Sequence, residues 1–372
     1  MENTNMQLSK THKPQYHLIT VYKFVDIPSE ELKKISQEHL DFCRDIGLKG
    51  RIYIATEGIS STVTGGYWQC ESYRLYLENS KYFKNIEGFW EKSTPVDGHK
   101  FPRMSVKVKD EIVKFGIKTN NRDVEKYKKK LSPKEVKRII DEKDENYIIL
   151  DMRNDYEYRL GHLKGAIPAG TVNFREVPKL LKKYGEKANG KKILWYCTGG
   201  IRCEKASVLA NKIGDTEYYA IDGGVMGYVN SYNDGNWLGN LYTFDDRIST
   251  FIGDKNTHTT IGECVYSKKL TDNCENCRYS PCNAKLIADK KEFKSYAGFC
   301  SLECFEKAKK DLLIKDISWD SLNYQKIRND SKSNPKNKEK NLELVKNHLD
   351  KTLGKKEFNH LNSQKETEII EY

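Results

Sequence analysis

The chain has 372 residues, ten cysteines and a formal charge of +11 at pH 7, and 31% of its residues are charged. This length suits two or three domains, and the excess of lysine and arginine favours a polyanionic partner. No apolar run of about 18 residues occurs, so we expect no transmembrane helix and no membrane partner. The first fifteen residues lack an apolar signal core, which predicts a cytoplasmic protein.

The N-terminal part, residues 16–117, has the pattern of a small α/β domain that follows a leader at residues 1–15. Strands are predicted at His17–Phe24, Lys49–Ala55 and Ser105–Val113, and helices after Ser29 and at Trp68–Leu77. Ser29 is expected to cap the first helix, whose apolar residues recur at helical spacing. The order of the elements is typical of a ferredoxin-like β-α-β-β-α-β domain.

A lysine-rich linker at residues 118–133 follows this domain, with three consecutive lysines at 128–130. A helix is predicted beyond it, capped by Ser132 and with Pro133 at its first position. Two interpretations of the linker stay open. It is either a solvated helix face or a basic surface that contacts nucleic-acid phosphates without reading the bases.

The most informative segment is the loop that begins at Cys197, between an apolar run and a helix-like segment at Glu204–Lys212. The residues of this loop after the cysteine are Thr198, Gly199, Gly200, Ile201, Arg202 and Cys203. A thiol before a helix N-terminus has a lowered pKa, and Arg202 adds a fixed positive charge. The loop therefore predicts a cysteine enzyme with Cys197 as nucleophile and Arg202 as its stabilising cation. Cys203 is either a resolving thiol or a packed residue at the helix start.

Strands and helices alternate around this loop, which predicts a parallel sheet over residues 134–243. Cys197 then lies at the carboxyl end of a strand, where sites in such sheets are found. An earlier apolar strand ends in Asp151 and Arg153. We expect this pair to hold the sheet edge and the loop without taking part in chemistry.

A cysteine-rich module is predicted at residues 244–320. The tail at 321–372, rich in lysine and asparagine, is predicted to be either disordered or a lone fraying helix. Four thiols in two closely spaced pairs suit one structural zinc: Cys277, Cys282, Cys300 and Cys304. Cys274 offers an alternative partner for Cys277. No nucleotide-binding fingerprint and no facial triad are recognisable, so the sequence predicts no nucleotide cofactor.

Several of these motifs together resemble the rhodanese domain. They are Asp151-x-Arg153, the segment Gly161–Ile167 with His162 in its turn, the Cys197 loop and the glycine pair Gly223-Gly224. The resemblance implies that the loop cysteine can carry a persulfide, with the loop amides around its outer sulfur. It also implies that His162 is structural rather than a general base.

A wider resemblance, from about residue 16 to about residue 305, is to the oxygen-dependent tRNA uridine hydroxylase family. The segments that carry it are Thr56–Thr62, Val106–Val113, Arg153–Glu157, Cys197–Ser207 and Phe244–Arg247. It implies conversion of uridine 34 in the tRNA anticodon to 5-hydroxyuridine, with molecular oxygen as co-substrate and the loop cysteine required. The basic linker would then contact the anticodon arm. The expected architecture is α/β: a ferredoxin-like domain, a rhodanese-type parallel-sheet domain and a small cysteine-rich module.

Two other functions compete with this one. A rhodanese-type sulfurtransferase would pass persulfide sulfur from Cys197 to an acceptor, and the loop chemistry suits it equally well. Such an enzyme needs neither the N-terminal domain nor the cysteine-rich module. A non-enzymatic RNA-binding scaffold is the third candidate, and the intact Cys197 and Arg202 argue against it.

Overall fold

A computed structural model describes residues 16–214, 216–233 and 235–358. The predictions for residues 1–15 and for residues 359–372 lie outside the described residues. The chain divides into two units. The first comprises the described residues up to Met152 together with Phe174–Tyr232, and the second comprises Arg153–Asn173 and the described residues from Asn233 onward.

The elements are numbered in chain order. The strands are β1 (Tyr16–Phe24), β2 (Lys49–Ala55), β3 (Gly58–Gly66), β4 (Ser93–Val96), β5 (Met104–Val108), β6 (Lys130–Leu131), β7 (Tyr147–Asp151), β8 (Gly161–Leu163), β9 (Ile167–Pro168), β10 (Lys192–Tyr196), β11 (Tyr218–Ile221), β12 (Trp237–Gly239), β13 (Leu241–Tyr242), β14 (Ser249–Thr250), β15 (Cys274–Asn276) and β16 (Lys285–Ile287). The helices are α1 (Leu32–Asp45), α2 (Tyr67–Glu78), α3 (Asn121–Tyr127), α4 (Pro133–Asp141), α5 (Asp155–Leu160), α6 (Val177–Ala188), α7 (Ile201–Ile213), α8 (Gly224–Tyr232), α9 (Lys290–Ser295), α10 (Leu302–Asp311), α11 (Tyr324–Ser333) and α12 (Lys338–Leu353).

The N-terminal sheet has the strand order β4-β1-β3-β2-β5. The first four strands are antiparallel to their neighbours, and β5 pairs with β2 in parallel. Alternate residues of β1, among them Ile19 and Val21, are fully buried in a core shared with Leu32 of α1 and Tyr73 of α2. Period-two burial on the strands and a helical stripe on α1 thus build the predicted ferredoxin-like arrangement, with β5 as an additional strand.

Three details of this domain differ from the prediction. The predicted late strand is β5 and ends earlier, at Val108, and neither β3 nor β4 is among the predicted strands. Both have weak local signals, because β3 is rich in glycine, serine and threonine and β4 is only four residues long and contains Pro95. Ser29 does not cap α1, because it lies in a preceding 3-10 turn and its hydroxyl contacts the Glu30 side chain.

The parallel sheet of the first unit has the order β6-β11-β10-β7. In β10, Leu194 lies between Ile149 of β7 and Tyr219 of β11, and Ile193–Tyr196 are buried as a continuous apolar run. Helices α6 and α7 pack together, as do α4 and α8. The cap predicted for α4 is confirmed, since the Ser132 hydroxyl accepts the Glu135 amide at 3.3 Å. The predicted α/β class is confirmed.

The second unit contains three two-stranded sheets, β12-β8, β13-β14 and β15-β16. One of its cores joins Cys277, Phe299, Phe305, Tyr324 and Leu349 across α10, α11 and α12. Of the helices in the described part of the chain, none combines the length and the apolar character needed to cross a bilayer.

The segment predicted as a disordered tail or a lone fraying helix begins with two packed helices instead. Residues 324–333 and 338–353 form α11 and α12, and Tyr324, Val345 and Leu349 are fully buried. The Asp320 carboxylate accepts the Tyr324 hydroxyl at 2.9 Å and lies 2.8 Å from His348, so a polar contact reinforces the packing. Among the many lysines of this segment, Val345 and Leu349 form a narrow apolar stripe. This stripe is enough to bury one face of α12.

Candidate active site

Cys197 follows β10 directly and is fully buried at the carboxyl end of that strand. The chain then passes through Thr198 and Gly199 to Gly200, which precedes the first residue of α7. The Gly200 amide donates to the Cys197 sulfur at 3.2 Å. A central strand and a helix N-terminus therefore hold the thiol where amide groups and the helix dipole favour an anion.

The electrostatics of the loop favour a thiolate at Cys197. Burial raises its pKa, but this is outweighed by a hydrogen bond from the Cys203 thiol, by the positive charge of Arg202 and by the amides of Cys203 and Arg202. The result is a pKa lowered to about 6. A thiol with such a pKa is ionised at neutral pH and is the stronger nucleophile for it.

Cys203 lies in the first turn of α7 and is fully buried. Burial, and then the neighbouring Cys197, raise the pKa of its thiol well above the usual range. Cys203 is therefore protonated and donates to the Cys197 thiolate. This geometry suits the packed-residue interpretation, and a resolving role for Cys203 stays an untested alternative.

Arg202 is held close to the loop and is 7% exposed. Its guanidinium donates to the Thr198 hydroxyl at 3.2 Å, which ties the cation to the residue after the nucleophile. The preceding Ile201 is half-buried and packs against a cluster that includes Phe24 and Val208. The loop residues predicted from the sequence thus lie together around the thiol.

Glycines are required at two places, one in this loop and one in the turn that packs against it. Gly200 has φ +98°, and a Cβ there would lie 2.7 Å from the Tyr22 hydroxyl. Gly224 has φ +64°, and a Cβ there would lie 2.6 Å from the Cys197 carbonyl oxygen. The amide of Val225 also donates to that carbonyl at 2.9 Å. The close approach of the Gly223-Gly224 turn to the loop accounts for the glycine pair.

The N-terminal domain reaches the loop through Tyr22, which the sequence did not identify. The Tyr22 hydroxyl donates to a Glu204 oxygen at 2.9 Å, and the Lys130 ammonium lies 2.8 Å from the same oxygen. Burial, and then the charges of Glu204 and Cys197, raise the pKa of Tyr22 well above its usual range. Tyr22 is therefore a neutral hydrogen-bond donor. Together with Lys130 it stabilises the buried Glu204 carboxylate in the first turn of α7.

A second network joins the N-terminal domain to α7 through Lys205, which is fully buried. Its ammonium contacts Glu57 at 2.7 Å, Glu111 at 2.5 Å and the Val113 carbonyl at 3.0 Å. The Glu57 oxygen that accepts Lys205 also accepts the Ile112 amide at 2.8 Å, and its other oxygen accepts the Thr119 hydroxyl at 3.2 Å. Two segments far from α7 in the sequence therefore hold the start of this helix.

Three family models match successive parts of the chain. They are the UPF0176 acylphosphatase like domain over residues 16–112, the Rhodanese-like domain over residues 132–231 and the Rhodanase C-terminal model over residues 238–305. Their order agrees with the predicted architecture.

Curated relatives match over most of the chain. A tRNA uridine(34) hydroxylase of Bacillus licheniformis is 36% identical over 294 residues, which cover 78% of this chain and 89% of that protein. The chain belongs to the tRNA uridine(34) hydroxylase family. Relatives of the same name from Acholeplasma laidlawii and Onion yellows phytoplasma are 35% and 34% identical and cover 78% and 80% of this chain, and 89% and 94% of their own lengths. The resemblance predicted from the motifs is confirmed.

Asp151 and Arg153 were predicted to support the active-site loop. They belong to different units of the chain. Asp151 ends β7, fully buried and paired in register with Tyr196. Arg153 is 1% exposed, and its guanidinium lies 4.9 Å from the Trp237 ring centroid and donates to the Gly161 carbonyl. Their supporting role stays a prediction.

His162, expected to be structural, contacts the backbone and a ring. Its Nδ1 lies 2.9 Å from the Tyr158 carbonyl oxygen, and its ring stacks on that of Tyr158 with centroids 4.0 Å apart. These contacts suit a structural role for His162 rather than that of a general base, and this role stays a prediction.

The four cysteines predicted to bind a metal lie close together in the second unit. The sulfurs of Cys277, Cys282, Cys300 and Cys304 all lie within 4.8 Å of one another. The Cys300 sulfur is 3.6 Å from that of Cys282 and 3.5 Å from that of Cys304. Tetrahedral zinc with Zn–S bonds of about 2.3 Å needs sulfurs about 3.8 Å apart, so the donor set fits. Cys274, the alternative partner of Cys277, is not in this group.

Proposed function

We propose that this protein hydroxylates uridine 34 in the tRNA anticodon to 5-hydroxyuridine, using molecular oxygen as co-substrate and Cys197 as the essential thiolate. The observation that supports it most is a thiol with a pKa of about 6 in a chain 36% identical to a protein named tRNA uridine(34) hydroxylase. The reaction makes the enzyme an oxidoreductase of the monooxygenase type, acting on tRNA in the cytoplasm. Arg202 and the amides of residues 198–203 stabilise the anionic sulfur.

A covalent route suits the buried thiolate. The Cys197 sulfur bonds to C6 of the uracil ring, and the electron pair displaced to C5 attacks O2 to give a C5 hydroperoxide after protonation. Two external thiols are oxidised to a disulfide, and the two electrons and two protons that they supply reduce the hydroperoxide to the hydroxyl group and water. Loss of the C5 proton and of the Cys197 thiolate restores the ring. The target base must leave its stack, which costs least in a single-stranded loop such as the anticodon.

The proposal is tested with purified protein and an anticodon stem-loop carrying uridine 34, under isotopically labelled oxygen gas with added thiol. We expect labelled 5-hydroxyuridine with the wild type and none with Cys197→Ser. Labelled product in equal amount from Cys197→Ser would contradict the covalent role. Absence of product together with fast, saturable sulfur transfer from thiosulfate to cyanide would favour the sulfurtransferase alternative.

The four-thiol group supports one structural zinc as the second part of the proposal. Two thiols come from the segment after β15, and two come from the start of α10. A metal there would tie these two segments together. Structural zinc sites of this type contribute directly to folding, so we assign this metal no part in the chemistry.

A further inference from the structure

A cavity of about 200 Å³ lies beside the Cys197 loop in the first unit. Its lining comes from the N-terminal domain, the basic linker and α7, and includes Tyr22, Lys92, Lys130 and Glu204. Because a water occupies about 30 Å³ in the liquid, the cavity has room for a phosphate group with a few waters.

Tyr22 places this cavity next to the reacting sulfur. Its hydroxyl occupies the space that a Gly200 side chain would take, 2.7 Å from the Cβ position, and donates to Glu204. Gly200 in turn donates its amide to the Cys197 sulfur. A group bound in the cavity is thus separated from the thiolate by one residue of the loop and one tyrosine ring.

The charges around the cavity are unequal, with four lysines and three glutamates. Lys130 is bound to Glu204 at 2.8 Å and to Asp222 at 3.4 Å, and Lys128 is bound to Glu125 at 2.7 Å. Glu204 and Glu125 are therefore already neutralised. The remaining charged residues of the lining are one glutamate, Glu87, and two lysines, Lys23 and Lys92. Lys23 donates to the Lys84 carbonyl.

Lys92 is the unusual member of the lining. Its ammonium donates to the Glu87 carbonyl at 3.3 Å and lies 5.3 Å from the centroid of the Tyr22 ring. Among the residues that the structure describes, no carboxylate lies within ion-pair distance of it. Burial, and then the charge of Lys130, lower its pKa. A half-buried ammonium without a carboxylate is stabilised by an anionic ligand.

We propose that this cavity is a phosphate subsite, in which the Lys92 ammonium binds a backbone phosphodiester of single-stranded RNA beside the base presented to Cys197. The inference rests on the proposed function for the identity of the RNA. A phosphate contact fixes the register of the chain on the enzyme without reading the sequence. It would hold the ribose while the base is turned out toward the loop.

The test measures binding of a fluorescent anticodon stem-loop to the full chain over a series of salt concentrations. Lys92→Gln removes the charge, Lys92→Arg keeps it, and Lys33→Gln removes an exposed charge of α1 outside the cavity. We expect about tenfold weaker binding with Lys92→Gln and a salt slope reduced by about 0.7, the value for one phosphate on a single strand. Lys92→Arg and Lys33→Gln should keep the wild-type slope.

A neutral methylphosphonate linkage next to uridine 34 locates the contact and distinguishes a backbone phosphate from free phosphate. We expect wild type to lose about as much affinity with this RNA as Lys92→Gln loses with normal RNA, and the two losses not to add. Additive losses, or a Lys92→Gln slope equal to that of Lys33→Gln, would overturn the subsite and leave the proposed function intact. A wild-type protein that does not bind the stem-loop would overturn both.

Discussion

The Lys205 ammonium lies 2.7 Å from the Glu57 carboxylate, and both side chains are buried. Glu57 lies in the turn between β2 and β3 of the N-terminal sheet, whereas Lys205 is in the second turn of α7. With Glu111 as a second carboxylate, the pair fixes the helix whose N-terminus faces the Cys197 sulfur. The N-terminal domain therefore helps to build the site.

Removing the cation of this network should be costly. Lys205→Met leaves the buried Glu57 carboxylate and the half-buried Glu111 carboxylate without their cation, so we expect a loss of about 3–5 kcal/mol in the free energy of unfolding, measured in urea. Lys212→Met on the same helix is the matched control, because Lys212 is exposed and its ion pair with Asp123 is 3.5 Å long. It should change stability by less than about 1 kcal/mol. Equal effects of the two variants would contradict the account.

The two adjacent glycines of the loop should respond differently to an added methyl group. Gly200→Ala forces a left-handed φ on alanine and places a Cβ against the Tyr22 hydroxyl, so we expect a loss of about 1–2 kcal/mol or more. Gly199→Ala meets nothing closer than the Thr20 Cγ2 at 4.0 Å and should cost less than about 1 kcal/mol. Thermal unfolding of both variants decides this, and a larger loss for Gly199→Ala would refute the loop geometry.

The rate of Cys197 alkylation by iodoacetamide should follow its ionisation. Because the thiolate is the reactive form, the rate should rise with pH and reach half its maximum near pH 6. Arg202→Gln removes a charge that lowers the pKa, so the midpoint should move upward by about one unit or more. Peptide-level mass spectrometry separates Cys197 from the other cysteines. Cys43 and Cys70, whose pKa values burial raises to about 12, should stay unmodified in folded protein.

The four-thiol group should hold one zinc ion per chain when the protein is purified without chelators. Cys304→Ser removes one ligand and should lower both the zinc content and the melting temperature of the protein. Cys274→Ser is the control, because this buried cysteine lies outside the group and was the alternative ligand in the sequence. Elemental analysis showing loss of zinc with Cys274→Ser and retention with Cys304→Ser would reverse the assignment.

Features with a strong local signal could be predicted from the sequence. The strand β2 has the predicted bounds, and the apolar run before Cys197 is the predicted buried strand β10, followed by the predicted helix. The cap at Ser132 was also predictable, because serine, proline and glutamate stand at fixed positions of a helix start. These features depend on neighbouring residues alone.

The long-range contacts of the site could not be predicted in the same way. Glu57, Glu111 and Lys205 each lie in a motif that carries the family resemblance, but Glu57 and Glu111 are separated from Lys205 by 148 and 94 residues. A single sequence shows each of them only as a charged residue, and only the packing of the domains brings them together. The role of Tyr22 could not be predicted for the same reason, because the sequence shows it only as one residue of the strand β1. The helix α12 could not be predicted because its apolar stripe is short, and the lysine-rich composition of the segment is typical of disorder.

The most direct test of the central claim is the nucleoside composition of total tRNA, measured by mass spectrometry in a strain that lacks this protein. The same strain is supplied with the wild type or with Cys197→Ala. We predict that 5-hydroxyuridine and its derivatives return only with the wild type. Unchanged levels of these nucleosides in all three strains, together with a change in thiolated nucleosides that depends on Cys197, would contradict the hydroxylase and identify a sulfur carrier.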